Sequence, residues 1–336
     1  MKKLMNKNFR KTLLIVLCIS FAFAGFAQKN THPPVKIIFD SDIGPDYDDV
    51  GAIAILHAFA DHNEAEILAT VASNKYSRIA SVLNIFNTYF NRPDIPIGVP
   101  KGEGVNIPDS QHWSDTLVAK YPHTVRHNND VPDAVKVYRK VLSQQPDNSV
   151  TIVTIGFLTN LYNLLNSAAD EYSSLSGRDL VKKKVKLLVS MAGGFPTGRE
   201  FNLDSDVKAS KAIFGNWPTK LIYSGFEIGA IIKTGLPIVH NSAIHHSPVK
   251  DVFRISIPLS TSDAAGRMSW DETAVLVAVR GVEPFFSLHS GKITINDDGS
   301  NGWDDKGKGQ YYLVMKESPK KIAETIDQLM MHQPVK

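Results

Sequence analysis

The stretch Asp40-Ser41-Asp42-Ile43-Gly44-Pro45-Asp46-Tyr47-Asp48-Asp49 places five aspartates within ten residues. An apolar run, Val35 to Phe39 broken only by Lys36, leads into it, and an apolar stretch at helical spacing, Val50 to Phe59, leads out. A strand, an acidic turn and a helix in that order set carboxylates at the carboxyl end of a strand, where parallel sheets bind ligands. Crowded carboxylates repel one another and lose hydration on burial, so a cluster of them needs a cation. A ligand set made only of oxygen suits a hard ion, Ca²⁺ or Mg²⁺. The simpler alternative is an exposed acidic turn that caps the following helix. The apolar strand in front argues against it, because a buried strand end is a poor place for spare charge.

Outward from this stretch, short apolar runs alternate with helical periodicity. Strands are expected at Ile67 to Ala72, Ile95 to Val99, Val150 to Ile155, Val185 to Met191 and Lys220 to Ser224. Helices are expected at Ile79 to Phe90, Pro132 to Leu142, up to Leu165, Val207 to Phe214, Met268 to Val279 and after Pro319. Such alternation predicts one α/β domain, 28–336, with an open, doubly wound, mainly parallel sheet and helices on both faces. From Pro100 to Pro132 the chain is irregular and rich in Gly, Pro, His and Asn, which predicts a functional loop or lid. The ends 40–49, 73–74, 155–160 and 192–202 carry polar or glycine-rich residues and should converge on one crevice. In the last of these, Glu200 and Asn202 would point the same way from an extended segment, suited to vicinal sugar hydroxyls, with Phe201 facing away or walling the pocket.

The 336 residues carry a net charge of +3 with 21% charged side chains, a balance that gives no footprint for nucleic acid. The one basic cluster, Lys182-Lys183-Lys184 with Lys186, has no aromatic interleaving and reads as a solvated helix end. Lys2, Lys3, Lys7, Arg10 and Lys11 precede an apolar core, Leu13 to Ala24, too short for a comfortable membrane span. With Gly25-Phe26-Ala27 at the cleavage positions, 1–27 reads as a signal peptide removed before Gln28. The expectation is an exported protein, periplasmic or secreted, with no stable membrane anchor after cleavage. Cys18 is the only cysteine, so the mature chain would hold neither disulfide nor thiol chemistry. A lipoprotein reading is disfavoured because Leu17 precedes Cys18 and the apolar run continues past it.

The acidic stretch resembles the signature of the inosine–uridine-preferring nucleoside hydrolase family, D-x-D-x-G-x-D-D, here widened by two residues in the turn that holds Asp46 and Tyr47. Further matches follow in order: Ser73-Asn74, Ile155-Gly156-Phe157-Leu158-Thr159-Asn160, Met191-Ala192-Gly193-Gly194, Glu200-Phe201-Asn202, and Trp270-Asp271-Glu272-Thr273-Ala274-Val275. The resemblance implies hydrolysis of the N-glycosidic bond of a small-molecule ribonucleoside at a buried Ca²⁺. It also implies that homo-oligomers occur, although no stretch here announces an interface. By motif position it implies Asp42, Asp49, the backbone carbonyl of Ile155 and Asp271 as metal ligands, and Asp42 as the general base. Asp48, Asn74, Glu200 and Asn202 would hold ribose hydroxyls, and Asp40 would support the site from behind. The reading of Asp271 as a helix cap stands beside its reading as a ligand, since Ser269 could serve as the cap.

Trp270 occupies the position where many members of that family carry a histidine credited with protonating the leaving base. Tryptophan is no acid near neutral pH, but it can stack on a base and wall a pocket. His112, His123 and His127, with Trp113 in the same irregular stretch, and His240, His245 and His246 are alternative sources of an acid, although each reads more simply as a surface residue. The asparagine that the family carries ahead of the glutamate is missing from Phe195-Pro196-Thr197-Gly198-Arg199. Other readings are the same fold acting on another ribosyl compound and a non-catalytic ribose-binding homologue. A phosphatase of the haloacid-dehalogenase type would have Asp40 as nucleophile and Mg²⁺ as metal. It expects Thr or Val where Gly44 stands, and a later Lys.

Overall fold

β1 (Val35–Ser41) is buried through its last five residues. Its side chains alternate between two cores: Ile37 and Phe39 pack on one face of the sheet and Ile38 on the other. A strand covered on both faces reads as an unbroken apolar run, which is why this one is legible. The computed structural model describes residues 33–335, so the expected signal peptide, 1–27, lies outside the described residues.

The remaining strands, in chain order, are β2 (Ala65–Ala72), β3 (Ile97–Gly98), β4 (Val150–Thr154), β5 (Val185–Met191), β6 (Gly198–Arg199), β7 (Lys220–Ser224), β8 (Lys233–Thr234), β9 (Arg267–Met268), β10 (Phe286–Ile295), β11 (Ser300–Asp304) and β12 (Gln310–Met315). They form a ten-stranded sheet in the order β3-β2-β1-β4-β5-β7-β12-β10-β11-β6, with β8 and β9 as a separate antiparallel pair. The part from β3 to β12 is parallel, and β10, β11 and β6 add an antiparallel edge. Helices Asp48–Asp61, Trp270–Arg280 and Pro319–Met330 cover one face around Ile53, Leu56, Leu276 and Ile326. Helices Ala134–Ser143, Thr159–Leu165, Gly177–Lys184 and Val207–Asn216 cover the other around Tyr138, Leu161, Val181 and Ile213. This is the expected doubly wound, mainly parallel α/β fold.

The chain runs outward from β1 to β2 and β3, then returns to β4 on the opposite side of β1. The connections after β1 and β4 therefore diverge and leave a crevice beyond the strand ends. Gly156 lets those ends approach closely: a Cβ there would lie 2.5 Å from the backbone nitrogen of Asp42 and from Ser73 Oγ. The backbone N–H of Ile155 donates to the Asp40 carbonyl (2.8 Å), and that of Phe157 to Ser73 Oγ (3.0 Å).

Two expectations need correction, and one part of the sheet was not anticipated. The stretch between Pro100 and Pro132 is not wholly irregular: Trp113–Lys120 is a helix, with Trp113 fully buried. That stretch is also anchored, because Asn128 Nδ2 donates to the carbonyls of Lys75 (3.2 Å) and Tyr76 (2.9 Å). Glu200 and Asn202 do not lie on one extended segment, since Phe201–Ser205 is a short helix with Glu200 as its N-cap. The unanticipated part is β10, β11 and β12, which extend the sheet through 286–315, with the turn at Asp297-Asp298-Gly299 between β10 and β11.

Candidate active site

A cavity of about 430 Å³ opens where β1, β4 and β5 end. Asp42 follows β1, Ile155 follows β4, Met191 closes β5, and Trp270 and Asp271 enter from the start of helix Trp270–Arg280. Of the residues singled out in the sequence, Asp42, Asp48, Ile155, Glu200, Phe201, Asn202, Trp270 and Asp271 line this cavity. Asp46, Arg199, Phe226 and Arg267 line it too and carried no assigned role.

Two helices begin at the cavity and bring acid with them. Asp48 and Asp49 are the first residues of helix Asp48–Asp61, and Asp271 is the second of helix Trp270–Arg280. Helix starts carry partial positive charge, which favours anions there but does not neutralise several of them. One carboxylate oxygen each from Asp46, Asp48 and Asp271 falls within 4.8 Å of the others. Burial raises the Asp271 pKa well above its usual value, and Asp48, Asp49, Asp46 and Asp42 add repulsion. Burial likewise raises Asp42, with repulsion from Asp46, Asp48 and Glu200. The Asp271 side chain makes no hydrogen bond among the described residues, and Ser269, the alternative cap, shares its hydroxyl with Thr234 (2.6 Å). Oxygen-only, buried and mutually repelling, this set fits a hard divalent cation.

Asp49 stands behind the cavity without lining it, and its Oδ1 accepts from Ser41 Oγ at 2.6 Å. Burial and then Asp42 push its pKa well up. Asp40, also behind, accepts from Tyr138 Oη (2.7 Å) and Asn160 Nδ2 (3.2 Å), and burial lifts it to about 7. Asn74, expected to hold a ribose hydroxyl, is fully buried and its amide is already engaged with backbone. Its Nδ2 donates to the carbonyls of Asp42 (3.2 Å) and Ile107 (2.7 Å), and its Oδ1 accepts from Tyr76 N (3.2 Å) and Ile107 N (3.0 Å). It holds the loop after β1 in place and has no group left for a sugar. Asn202 Nδ2 donates to the carbonyls of Ile155 and Met191, both at 3.1 Å, leaving its Oδ1 open. Glu200 accepts from the backbone N–H groups of Asn202 (2.7 Å), Gly193 (3.0 Å) and Leu203 (3.1 Å), yet burial still raises it to about 7.

The model of the family described as inosine-uridine preferring nucleoside hydrolase matches residues 37–330. The chain belongs to this family. It is 28% identical over 240 residues to the pyrimidine-specific ribonucleoside hydrolase RihA of Salmonella newport, an overlap covering 68% of each chain. A plant nucleoside hydrolase, the PpNRh1 enzyme, has the same fold with a TM-score of 0.69 at 20% identity, covering 89% of this chain and 99% of that one. The inosine-uridine preferring nucleoside hydrolase of Bacillus anthracis gives 0.68 at 16% identity, covering 88% and 99%. The chain is thus an enzyme of the nucleoside hydrolase family.

As a nucleoside hydrolase it departs at the wall of the cavity. No histidine among the described residues lines it. His112 is exposed and paired with Asp115 (3.1 Å), and His123 bonds the Tyr121 carbonyl (2.8 Å). Trp270 donates from Nε1 to the Phe226 carbonyl (2.8 Å) and packs its ring on Phe226, centroids 5.1 Å apart. The aromatic surface left open at the mouth belongs to Phe226 and Phe201, 47% and 49% exposed. Arg267, missed in the sequence, reaches Asp48 and Asp46 across the cavity at 2.7 Å each. Its only sequence signal is that it lies three residues ahead of Trp270.

The raised pKa values set a pH dependence. Asp40 and Asp48 lie at about 7 in the fold against 3.8, and Glu200 at about 7 against 4.5. Between those limits the folded chain holds protons that the unfolded chain has released, so stability of the metal-free protein falls as pH rises through this window. A cation bound to the deprotonated site opposes the fall. Chelated protein should therefore melt higher near pH ~5 than near pH ~7.5, and added calcium should raise Tm more at the higher pH. Thermal scans at both pH values check this; a chelated protein that gains stability toward neutrality would contradict it.

Proposed function

We propose that this chain is an exported, calcium-dependent ribonucleoside hydrolase that splits the N-glycosidic bond of a ribonucleoside into ribose and free base. The observation that carries the reading is one cavity walled by Asp42, Asp46, Asp48, Glu200 and Asp271 and rimmed by exposed aromatic rings. Family membership supports the reaction class. Ca²⁺ would be held by Asp271 and Asp42 with the Ile155 carbonyl, and by Asp49 from behind; Asp46 and Asp48 lie close enough to share it. Once bound, it would supply Lewis-acid activation of water and an anchor for sugar hydroxyls.

The chain's own residues do the rest. Breaking the bond builds positive charge on the ribose ring, and the carboxylates of the cavity stabilise that charge in place. Asp42, whose pKa burial and neighbouring carboxylates raise, takes a proton from the attacking water as general base. Asp48, the Oδ1 of Asn202 and the spare lone pairs of Glu200 hold ribose hydroxyls. Asn202 also fixes the Ile155 carbonyl from behind. Phe201, Phe226 and Trp270 form the apolar wall for the base.

Incubation with a mixture of nucleosides should release ribose and free base, stop on chelation and resume with added calcium. Asp42→Asn should lower kcat by about 10²–10⁴-fold, the typical worth of a positioned acid–base group. No ribose from any nucleoside, or release indifferent to chelator, would overturn the reading. Export rests on the basic segment, apolar core and small residues of 1–27. Protein recovered outside the cytoplasm should begin at Gln28, and an intact Met1 there would contradict it.

A further inference from the structure

Arg267 is the buried cation of the cavity, its side chain 10% exposed, whereas Arg199 at the rim is exposed and paired with Asp204 (2.9 Å). Its backbone is fixed in β9, where it pairs with Thr234 of β8. One edge of its guanidinium is used: Nε and Nη2 donate to Asp48 Oδ1 at 3.0 and 2.7 Å, and Nη2 lies 2.7 Å from Asp46 Oδ2. The group also packs on two rings, 4.9 Å from the Tyr47 centroid and 5.1 Å from that of Trp270. Its other edge is unused. Nη1 comes no closer than 3.8 Å to Asp263 Oδ2, which already accepts from Tyr47 Oη at 2.7 Å. Nη1 makes no hydrogen bond among the described residues and is not fully sealed from solvent, and the Arg267 side chain lines the cavity.

A cation held rigidly on one edge, stacked against the base-side wall and open on the other edge, is a preorganised donor aimed at a ligand. Arginine does not give up its proton in the working range, so it cannot replace a histidine as acid. It can hold negative charge. We propose that Arg267 is a catalytic residue of the leaving-group side, binding the departing group through Nη1–H and stabilising the charge it gains; this rests on the hydrolase reading above. As the C–N bond breaks, its electron pair stays with the base nitrogen, which leaves as an anion. The water oxygen bonds to the anomeric carbon and its proton passes to Asp42. The base takes a proton from solvent on release, and Asp42 returns its own to solvent. Arg267 moves no proton. Its part is electrostatic, greatest when the leaving group carries most charge.

The test compares leaving groups on one sugar. The parent, Arg267→Met and Arg267→Lys are assayed with inosine and uridine, whose bases need help to depart, and with 4-nitrophenyl ribofuranoside, whose leaving anion is already stable. The expected result is a fall in kcat of about 10²–10³-fold for Arg267→Met on the nucleosides, the loss typical of removing one such donor. The fall on the nitrophenyl riboside should be less than about tenfold, because that leaving anion needs no donor and Asp48 stays at its helix start beside the sugar. Arg267→Lys should fall between, keeping charge without the fork, and competition by free ribose should be unaltered in all three. Equal losses on both substrate types, or ribose binding weakened in step, would make Arg267 only a support for Asp48 and overturn the proposal. No loss in Arg267→Met would overturn it too. A parent inactive on every substrate would instead bring down the hydrolase reading itself.

Discussion

Buried like charge is the constraint on which this site depends. Asp42, Asp46, Asp48 and Asp271 wall one cavity, Asp40 and Asp49 stand behind it, and among the described residues Arg267 is the single buried cation that touches them. Two helix starts lessen the repulsion without cancelling it. Bringing six carboxylates together in this way is unfavourable unless a cation of higher charge joins them. The raised pKa values of Asp42, Asp49 and Asp271 state the same thing, since protonation is the only other relief.

Much of the surrounding structure works against that repulsion. Ser41 holds Asp49, Tyr138 and Asn160 hold Asp40, and Asn74 fixes the Asp42 carbonyl. Asn202 fixes the Ile155 carbonyl, and the absence of a side chain at Gly156 lets the ends of β1 and β4 lie side by side. Asn202 apart, none of these needs to touch a substrate. Each removes a freedom by which the carboxylates could swing apart, so the charge stays concentrated and a ligand finds the site already formed.

The parallel half of the fold and the acidic corner were legible because their signals are local. β1 announces itself by an unbroken apolar run, and the aspartates that follow are neighbours in the chain. β5 and β7 have the bounds expected from their apolar runs. Where reading failed, the deciding information was distant or too short to show a period. Arg267 meets Asp48 across 219 residues of chain, and an isolated arginine beside a motif gives no sign of that. Helix Phe201–Ser205 has five residues, too few for helical periodicity, so Asn202 read as extended along with Glu200, when only Glu200, the cap, is. Asn74 has the right motif position for a sugar contact, yet its amide is spent on backbone, a choice only the fold reveals. The antiparallel edge was hidden because the apolar residues of β10, Phe286 and Leu288 and then Ile293 and Ile295, change phase at Ser290-Gly291 and so keep no single period of two.

The central claim is that these carboxylates form one site which a divalent cation completes. Calorimetric titration of chelator-stripped protein with calcium tests it most directly. The account predicts one ion bound per chain, with protons released as binding favours the charged form of carboxylates whose pKa burial raises. It also predicts that Asp271→Asn abolishes or severely weakens this binding while the fold, read by circular dichroism, persists. Absence of stoichiometric binding in the parent, or binding undiminished in Asp271→Asn, would contradict it.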